Sequence, residues 1–483
     1  MKRKPSFFQA IIPIFAVLIL LGIGYGVFHL SAEPLLIIAT IIAAVIGKSL
    51  GVSWEEMQEG IVEKTAKSMP AIFILITVGI LIGTWMVSGT IPMMMFYGIE
   101  MINPNYLLIT TFVVTAIVSV FTGTSWGAAG TIGVAVMGIA AVQGVSLPVT
   151  AGAVVAGAYF GDKLSPFSDT TNLAPAAAGS NIYDHIKHML YTTVPAALIG
   201  LIVYFIVGKS AYTNNTVSQE QIELITSTLT TMFDWNVLLI LPVLIVLVGS
   251  IKKYPTIPVM LISSVTAIII GFVFQSISLE NVFLATVKGF NVSMVTVSGF
   301  DPTTAPEAVQ NLLNRGGMNS MMGTTLIAFC SFAFAGVISK IGCLDVVLEK
   351  INKKAKSTGS LILATVLSCI TMAITTGSSY LSILIPGELF KNVYAERGLH
   401  PKNLSRTLED SGTVVVPLIP WSMAGVYMSS TLGVPVIEYL PWAVMCYLGF
   451  IIAIIYGYTG LTIEKINNSS NDKEMDKDVQ YRI

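Results

Sequence analysis

Between Gly157 and Ala174 the sequence GAYFGDKLSPFSDTTNLA sets two carboxylates (Asp162 and Asp169), one ammonium (Lys163) and the polar groups of Ser165, Ser168, Thr170, Thr171 and Asn172 in an apolar landscape. Such oxygen-rich groups, gathered into about one membrane crossing, suit a hard cation or a proton. Carboxylates at membrane depth are costly unless they pair with something or bind something. Pro166 in the middle of the stretch cannot donate a backbone hydrogen bond, so an unbroken helix is not expected. A break there frees carbonyls that are tolerated only inside protein or against a wet cavity. The competing reading is a cytoplasmic loop between two spans.

The composition says where these groups sit. Of 483 residues, 54% are hydrophobic and 11% charged, with a mean hydropathy of +0.78. Soluble proteins carry about a quarter charged residues, so this is a polytopic membrane protein. A net charge of -1 offers no basic face for nucleic acid. Cys330, Cys343, Cys369 and Cys446 show no CxxC spacing and read as small packing residues. No HExxH pattern supports a membrane-embedded enzyme, and no cofactor is implied. The run after Lys2, Arg3 and Lys4 is too long for a signal peptide and has no cleavage site, so it reads as a retained first helix.

Apolar segments long enough to cross fall near 7–30, 34–50, 70–91, 106–122, 126–143, 149–178 and 186–208, then near 235–250, 256–276, 320–342, 359–376, 380–395, 404–432 and 436–458. The two series are one unit repeated. FTGTSWG aligns with TTGSSYL, setting Thr122, Gly123 and Ser125 on Thr376, Gly377 and Ser379, an offset of 254. At the same offset Leu164–Ser168 (LSPFS) falls on Leu418–Ser422 (LIPWS). Ser53–Met69 matches Ser278–Met294 more weakly. The expected organisation is a first repeat over 1–208, a polar connecting loop over 209–234, a second repeat over 235–463 and a disordered cytoplasmic tail over 464–483.

Lysine and arginine mark the cytoplasmic side. The loop Pro92–Asn105 has neither, whereas its counterpart carries Lys350, Lys353, Lys354 and Lys356. The turn Ser31–Glu33 has none, while its counterpart holds Lys252 and Lys253. The halves are therefore expected to be inverted, with both termini cytoplasmic. The expected fold is an all-α polytopic membrane protein of two inverted-topology repeats, with broken or re-entrant helices at the midplane. That is the architecture of secondary transporters, which hold their substrate where the repeats meet. Thr122, Thr124 and Ser125 of TGTS, with Thr376, Ser378 and Ser379 of TGSS, supply the hydroxyls for a sodium shell. Small residues near these motifs also serve plain helix packing.

TGTSWGAAGTIGVAVMGIA followed by AGAVVAGAYFGDKLSPFSDTTNLAPAAAGSNIYDHIKHMLYTTVP resembles the NhaC family of bacterial sodium/proton antiporters, over nearly the whole chain. That family also contains sodium-linked malate/lactate antiporters. The resemblance implies a multi-pass secondary antiporter of the bacterial cytoplasmic membrane, with sodium and protons as its substrates and small carboxylates as alternative ones. It makes Asp162, Asp169, Thr170, Thr171 and Asn172 first-half site candidates. Dimers are common among such carriers, and nothing in the residues requires one.

The second half lacks these acids, since Val416 and Met423 stand opposite Asp162 and Asp169. It offers Glu409 and Asp410 instead, with Arg406 as a partner for Asp410; a solvated interfacial pair is the alternative. Glu388 could be a third intramembrane acid or sit at a helix end. A desolvated carboxylate favours its neutral form and a bound cation the charged one, so sodium and protons compete for one site. Asp162 or Asp169 is the expected shared carboxylate, with backbone carbonyls, Thr170, Ser125 and Ser379 around it. Lys163 is expected to snorkel to the cytoplasm, or else to pair with a neighbouring acid. His185 and His188 read as a solvated face. Glu55–Lys67 reads as an amphipathic surface helix. Trp85, Trp126, Trp421 and Trp442 read as packing or interfacial aromatics, the middle two as candidate gates.

Overall fold

Long apolar runs that start at serine caps and end at glycines become helices. The computed structural model describes residues 3–28, 30–211, 219–353 and 355–466. The expected tail from 467 onward, positions 212–218 of the connecting loop, and Lys354 lie outside the described residues. The first half comprises α1 (Phe7–Tyr25), α2 (Ala32–Ser49), α3 (Trp54–Val87), α4 (Thr90–Met101), α5 (Leu107–Thr122), α6 (Ser125–Val142), α7 (Leu147–Leu164), α8 (Asp169–Ala178) and α9 (Ile182–Ala211). After α10 (Gln219–Met232), the second half comprises α11 (Leu241–Ile251), α12 (Thr256–Phe274), α13 (Leu279–Lys288), α14 (Glu307–Leu313), α15 (Met322–Ile341), α16 (Cys343–Lys353), α17 (Thr358–Thr376), α18 (Ser379–Glu396), α19 (Pro401–Leu418), α20 (Met423–Leu432), α21 (Val436–Trp442) and α22 (Val444–Thr459). Among the described residues nine helices are long and apolar enough to cross a membrane, or up to 12 if each of three bent pairs is one span.

The offset of 254 runs from α5 to α20. It carries Ser125–Val142 onto Ser379–Glu396 and Leu147–Leu164 onto Pro401–Leu418. Ser168 caps α8 by accepting from Thr171 N, and Ser422 caps α20 by accepting from Gly425 N, one repeat apart. Upstream of this block the offset falls to 225, because Ser53 and Ser278 cap α3 and α13 in the same way. The difference is an insertion over 289–317, which splits the counterpart of the 34-residue α3 into α13 and α15.

The repeats are inverted. Gly60 of α3 lies against Gly336 of α15, while Gly79 accepts a hydrogen bond at 2.7 Å from Gly317, just before α15. Residue numbers rise along one helix as they fall along the other, so these two helices, repeat counterparts of one another, run antiparallel.

Two expectations are corrected. Glu55–Lys67 is not a separate surface helix; it is the start of α3, and Pro70 does not break that helix. Glu55, Glu59, Glu63 and Lys67 stay exposed, with Lys340 bridging to Glu59 at 2.9 Å. The polar connector contains α10, because Ile225, Leu229 and Met232 bury one face of a sequence otherwise rich in Thr and Ser.

The site is positioned chiefly by α5 against α7. A Cβ on Gly157 would stand 2.4 Å from the Phe112 carbonyl, and one on Gly161 2.3 Å from that of Ala116. With no side chains between them, the two backbones touch, and Ser119 donates across to the Ala158 carbonyl at 2.6 Å. Gly161→Val must push the helices apart at a cost of about 1–3 kcal/mol or more. The expected result is a lower melting temperature in detergent with reduced transport; an unchanged melting curve would contradict this contact.

Candidate functional site

Both repeats break two neighbouring elements at the same level. α5 ends at Gly123 and α17 at Gly377, each in the left-handed region with φ of 67° and 62°. A side chain there would be strained, and at Gly123 its Cβ would also lie 2.7 Å from Phe167. The break after α5 therefore rests on the break between α7 and α8. In the second repeat Met423 N donates to Gly377 O at 3.1 Å, so the break after α17 rests on that between α19 and α20.

Side chains of the GDKLSPFSDTTN stretch satisfy the freed carbonyls. Thr171 Oγ1 donates to the carbonyls of Asp162 and Lys163 at 3.0 and 3.2 Å. Asn172 Nδ2 reaches Pro166 and Ser168, and Ser165 Oγ reaches Val120. Thr170 pairs with Ser168 at 3.2 Å. Thr124 caps α6, Thr122 and Thr376 bond back to their own helices, and Ser378 is buried beside Thr376 with Ser379 half-buried. Thr171, Asn172, Thr122 and Thr376 thus hold the breaks in shape.

The charged groups sort differently. Asp162, the one acid of α7, is buried and accepts from the Oγ of Ser125, the first residue of α6, at 2.8 Å. Asp169 stands on the exposed side and accepts from Tyr380 at 3.1 Å. Lys163 does not snorkel: it is 1% exposed and forms an ion pair with Asp410, itself 0% exposed. Thr192 of α9 also donates to that oxygen at 3.0 Å. Gly449 of α22 faces the pair, where a Cβ would be 3.4 Å from Asp410 Oδ1. The second repeat's acids are therefore interior groups, not a solvated interfacial pair. Glu388 is exposed and stands apart from them.

Arg406 is not the hydrogen-bonded partner expected for Asp410. The helix takes a π turn over Glu409–Thr413, and the wider turn shifts the register in which residues four apart share a face. Asp410 turns to Lys163, while Arg406 donates to Thr462 Oγ1 at 2.8 Å and lies over Tyr456. His185 and His188 are buried, contrary to the solvated face expected of them. His185 Nδ1 meets Ser405 Oγ at 2.9 Å; the ring nitrogens of His188 meet the carbonyls of Lys402 and Thr462. The start of α9 packs on α19, and the segment after α22 closes over it through the Leu399–Lys465 bridge and the Lys402–Glu464 ion pair. That contact between segments far apart in the chain has no local signature. Trp85 is packed and donates to Ser263, while Trp126 stacks on Tyr427 with ring centroids 4.3 Å apart.

One repeat thus contributes Ser125, Asp162 and Lys163, and the other contributes Glu409 and Asp410. The cluster can hold a small cation or a proton on Asp162, with a fixed ion pair beside it.

Residues 157–461 match the Na+/H+ antiporter family. The chain is 51% identical, over 96% of its length and 98% of the other's, to a Haemophilus influenzae protein named as an uncharacterized Na+/H+ antiporter. It is 40% identical to the Na+/H+ antiporter NhaC of Alkalihalophilus pseudofirmus, over 94% of this chain and 98% of that one. It is 34% identical to the malate-2H+/Na+-lactate antiporter of Bacillus subtilis, over 97% and 98%.

Proposed function

Because the chain belongs to the Na+/H+ antiporter family, we propose that it exchanges sodium for protons at Asp162, by alternating access of its two inverted repeats. The carrying observation is the buried Asp162 bonded to Ser125 at the helix breaks, beside the Lys163–Asp410 pair that joins the repeats. A lone buried carboxylate needs a compensating cation or a proton. Sodium would take the Asp162 carboxylate and the Ser125 hydroxyl, both hard oxygen donors. When the proton replaces it, the neutral carboxyl donates to the same hydroxyl. Either occupant satisfies the site and both together do not, which couples the two fluxes.

Inverted repeats supply the second requirement. If the halves exchange conformations, the same cluster opens to the other side. Lys163 is already neutralised by Asp410, so it spans the halves without competing for sodium. The protein works as a carrier rather than an enzyme, in the cytoplasmic membrane with both termini inside; the lysines at 252, 253, 350 and 356 support that orientation.

The test uses proteoliposomes with an acid interior and a pH-sensitive dye. Sodium added alone is expected to dissipate the gradient. A response that requires malate or lactate as well would contradict the reading and make sodium a coupling ion.

A further inference from the structure

Glu409 is the group that a single shared carboxylate leaves unexplained. It is 0% exposed, and no donor among the described residues reaches either of its carboxylate oxygens at hydrogen-bonding geometry. The hydroxyls of Thr413, on its own turn, and Thr170, on α8, face it; Lys163 and Asp162 of α7 are the charged groups that act on it. Lys163 is engaged by the adjacent Asp410, so it does not serve as a counter-ion for a second acid. An ionised, unpaired carboxylate would cost several kcal/mol in this interior, whereas a protonated one costs far less. Glu409 also sits in the π turn Glu409–Thr413; such single-turn bulges recur at functional sites.

We propose that Glu409 is a second proton carrier, and that one sodium ion displaces two protons, one from Asp162 and one from Glu409. The inference rests on the reading of Asp162 as the shared site. The proton-loaded cluster contains two neutral carboxyls and the neutral Lys163–Asp410 pair. The sodium-loaded cluster contains two carboxylates and one sodium ion, a net charge of minus one. Each cycle therefore moves one net charge, and exchange responds to membrane potential. Thr170 and Thr413 are placed to solvate the Glu409 carboxylate while sodium is bound between the two acids.

The measurement is the number of protons released per sodium bound, read by a pH electrode in weakly buffered detergent alongside radioactive sodium binding. Wild type is expected to release two and Glu409→Gln one, with sodium still bound through Asp162. Glu409→Asp, which keeps a carboxyl, is expected to release two. Infrared difference spectra on sodium addition give an independent readout. Two protonated-carboxyl bands should disappear in wild type, and one of the two should change frequency in Glu409→Asp. A single proton in wild type, two in Glu409→Gln, loss of sodium binding in Glu409→Gln, or an unshifted pair of bands in Glu409→Asp would each overturn the proposal. Should Glu409→Gln not fold, the bands in Glu409→Asp decide the matter. If wild type released no protons on binding sodium, the reading of Asp162 would fail as well. One proton alone would leave that reading intact.

Discussion

Asp162→Asn is expected to abolish sodium-driven proton movement in proteoliposomes while leaving the protein folded and in the membrane. Asparagine keeps the size of the side chain and can still bond to Ser125 Oγ, so the contact seen at 2.8 Å has a neutral substitute. What is lost is the negative charge that neutralises sodium and the group that carries the proton. Removing the counter-charge of a buried ion costs about 3–5 kcal/mol, and 3 kcal/mol already exceeds a 100-fold change in an equilibrium constant. The expected exchange rate is thus at or below about 1% of wild type. Asp169→Asn, on the exposed side and bonded among the described residues to Tyr380, is expected to retain exchange. Full activity in Asp162→Asn would remove the central residue of the account.

The second large effect concerns the Lys163–Asp410 pair. Lys163→Met alone leaves the Asp410 carboxylate buried with Thr192 as its remaining donor among the described residues, and Asp410→Asn alone leaves a buried ammonium. Each single substitution is expected to destabilise by about 3–5 kcal/mol. The double substitution removes both charges and is expected to recover most of that loss, since a buried ion pair is often worth little against neutral replacements. Melting of the three variants in detergent measures this as a coupling energy. If the losses in the double variant simply add, the two groups do not neutralise each other and the site must be redrawn. Recovery of stability without recovery of transport would mean that the pair also serves the motion between halves.

Much of this arrangement is legible in the sequence because the breaks use residues with few substitutes. Gly123 and Gly377 hold left-handed turns, and Ser168 and Ser422 cap the helices that restart, so TGTS/TGSS and LSPFS/LIPWS mark the same places in both repeats. The burial of Asp162 follows from its place in an apolar helix. What is not legible depends on distant parts of the chain. Lys163 meets Asp410 across 247 positions, and a long lysine stem can equally reach an interface. The π turn that steers Asp410 away from Arg406 leaves no mark in a four-residue spacing. The histidines look solvated beside Asp184 and Lys187; they are buried because the segment around Thr462 folds back over them. The insertion over 289–317 hides the continuity of α3 with α13 and α15, because the offset changes inside a helix.

The most direct test of Asp162 as the shared site is equilibrium binding of radioactive sodium to purified protein across a range of pH, for wild type and Asp162→Asn. Competition predicts that the apparent sodium affinity of wild type weakens steadily as pH falls, and that Asp162→Asn shows no saturable binding at any pH. Sodium binding by Asp162→Asn with the pH dependence of wild type would contradict the account.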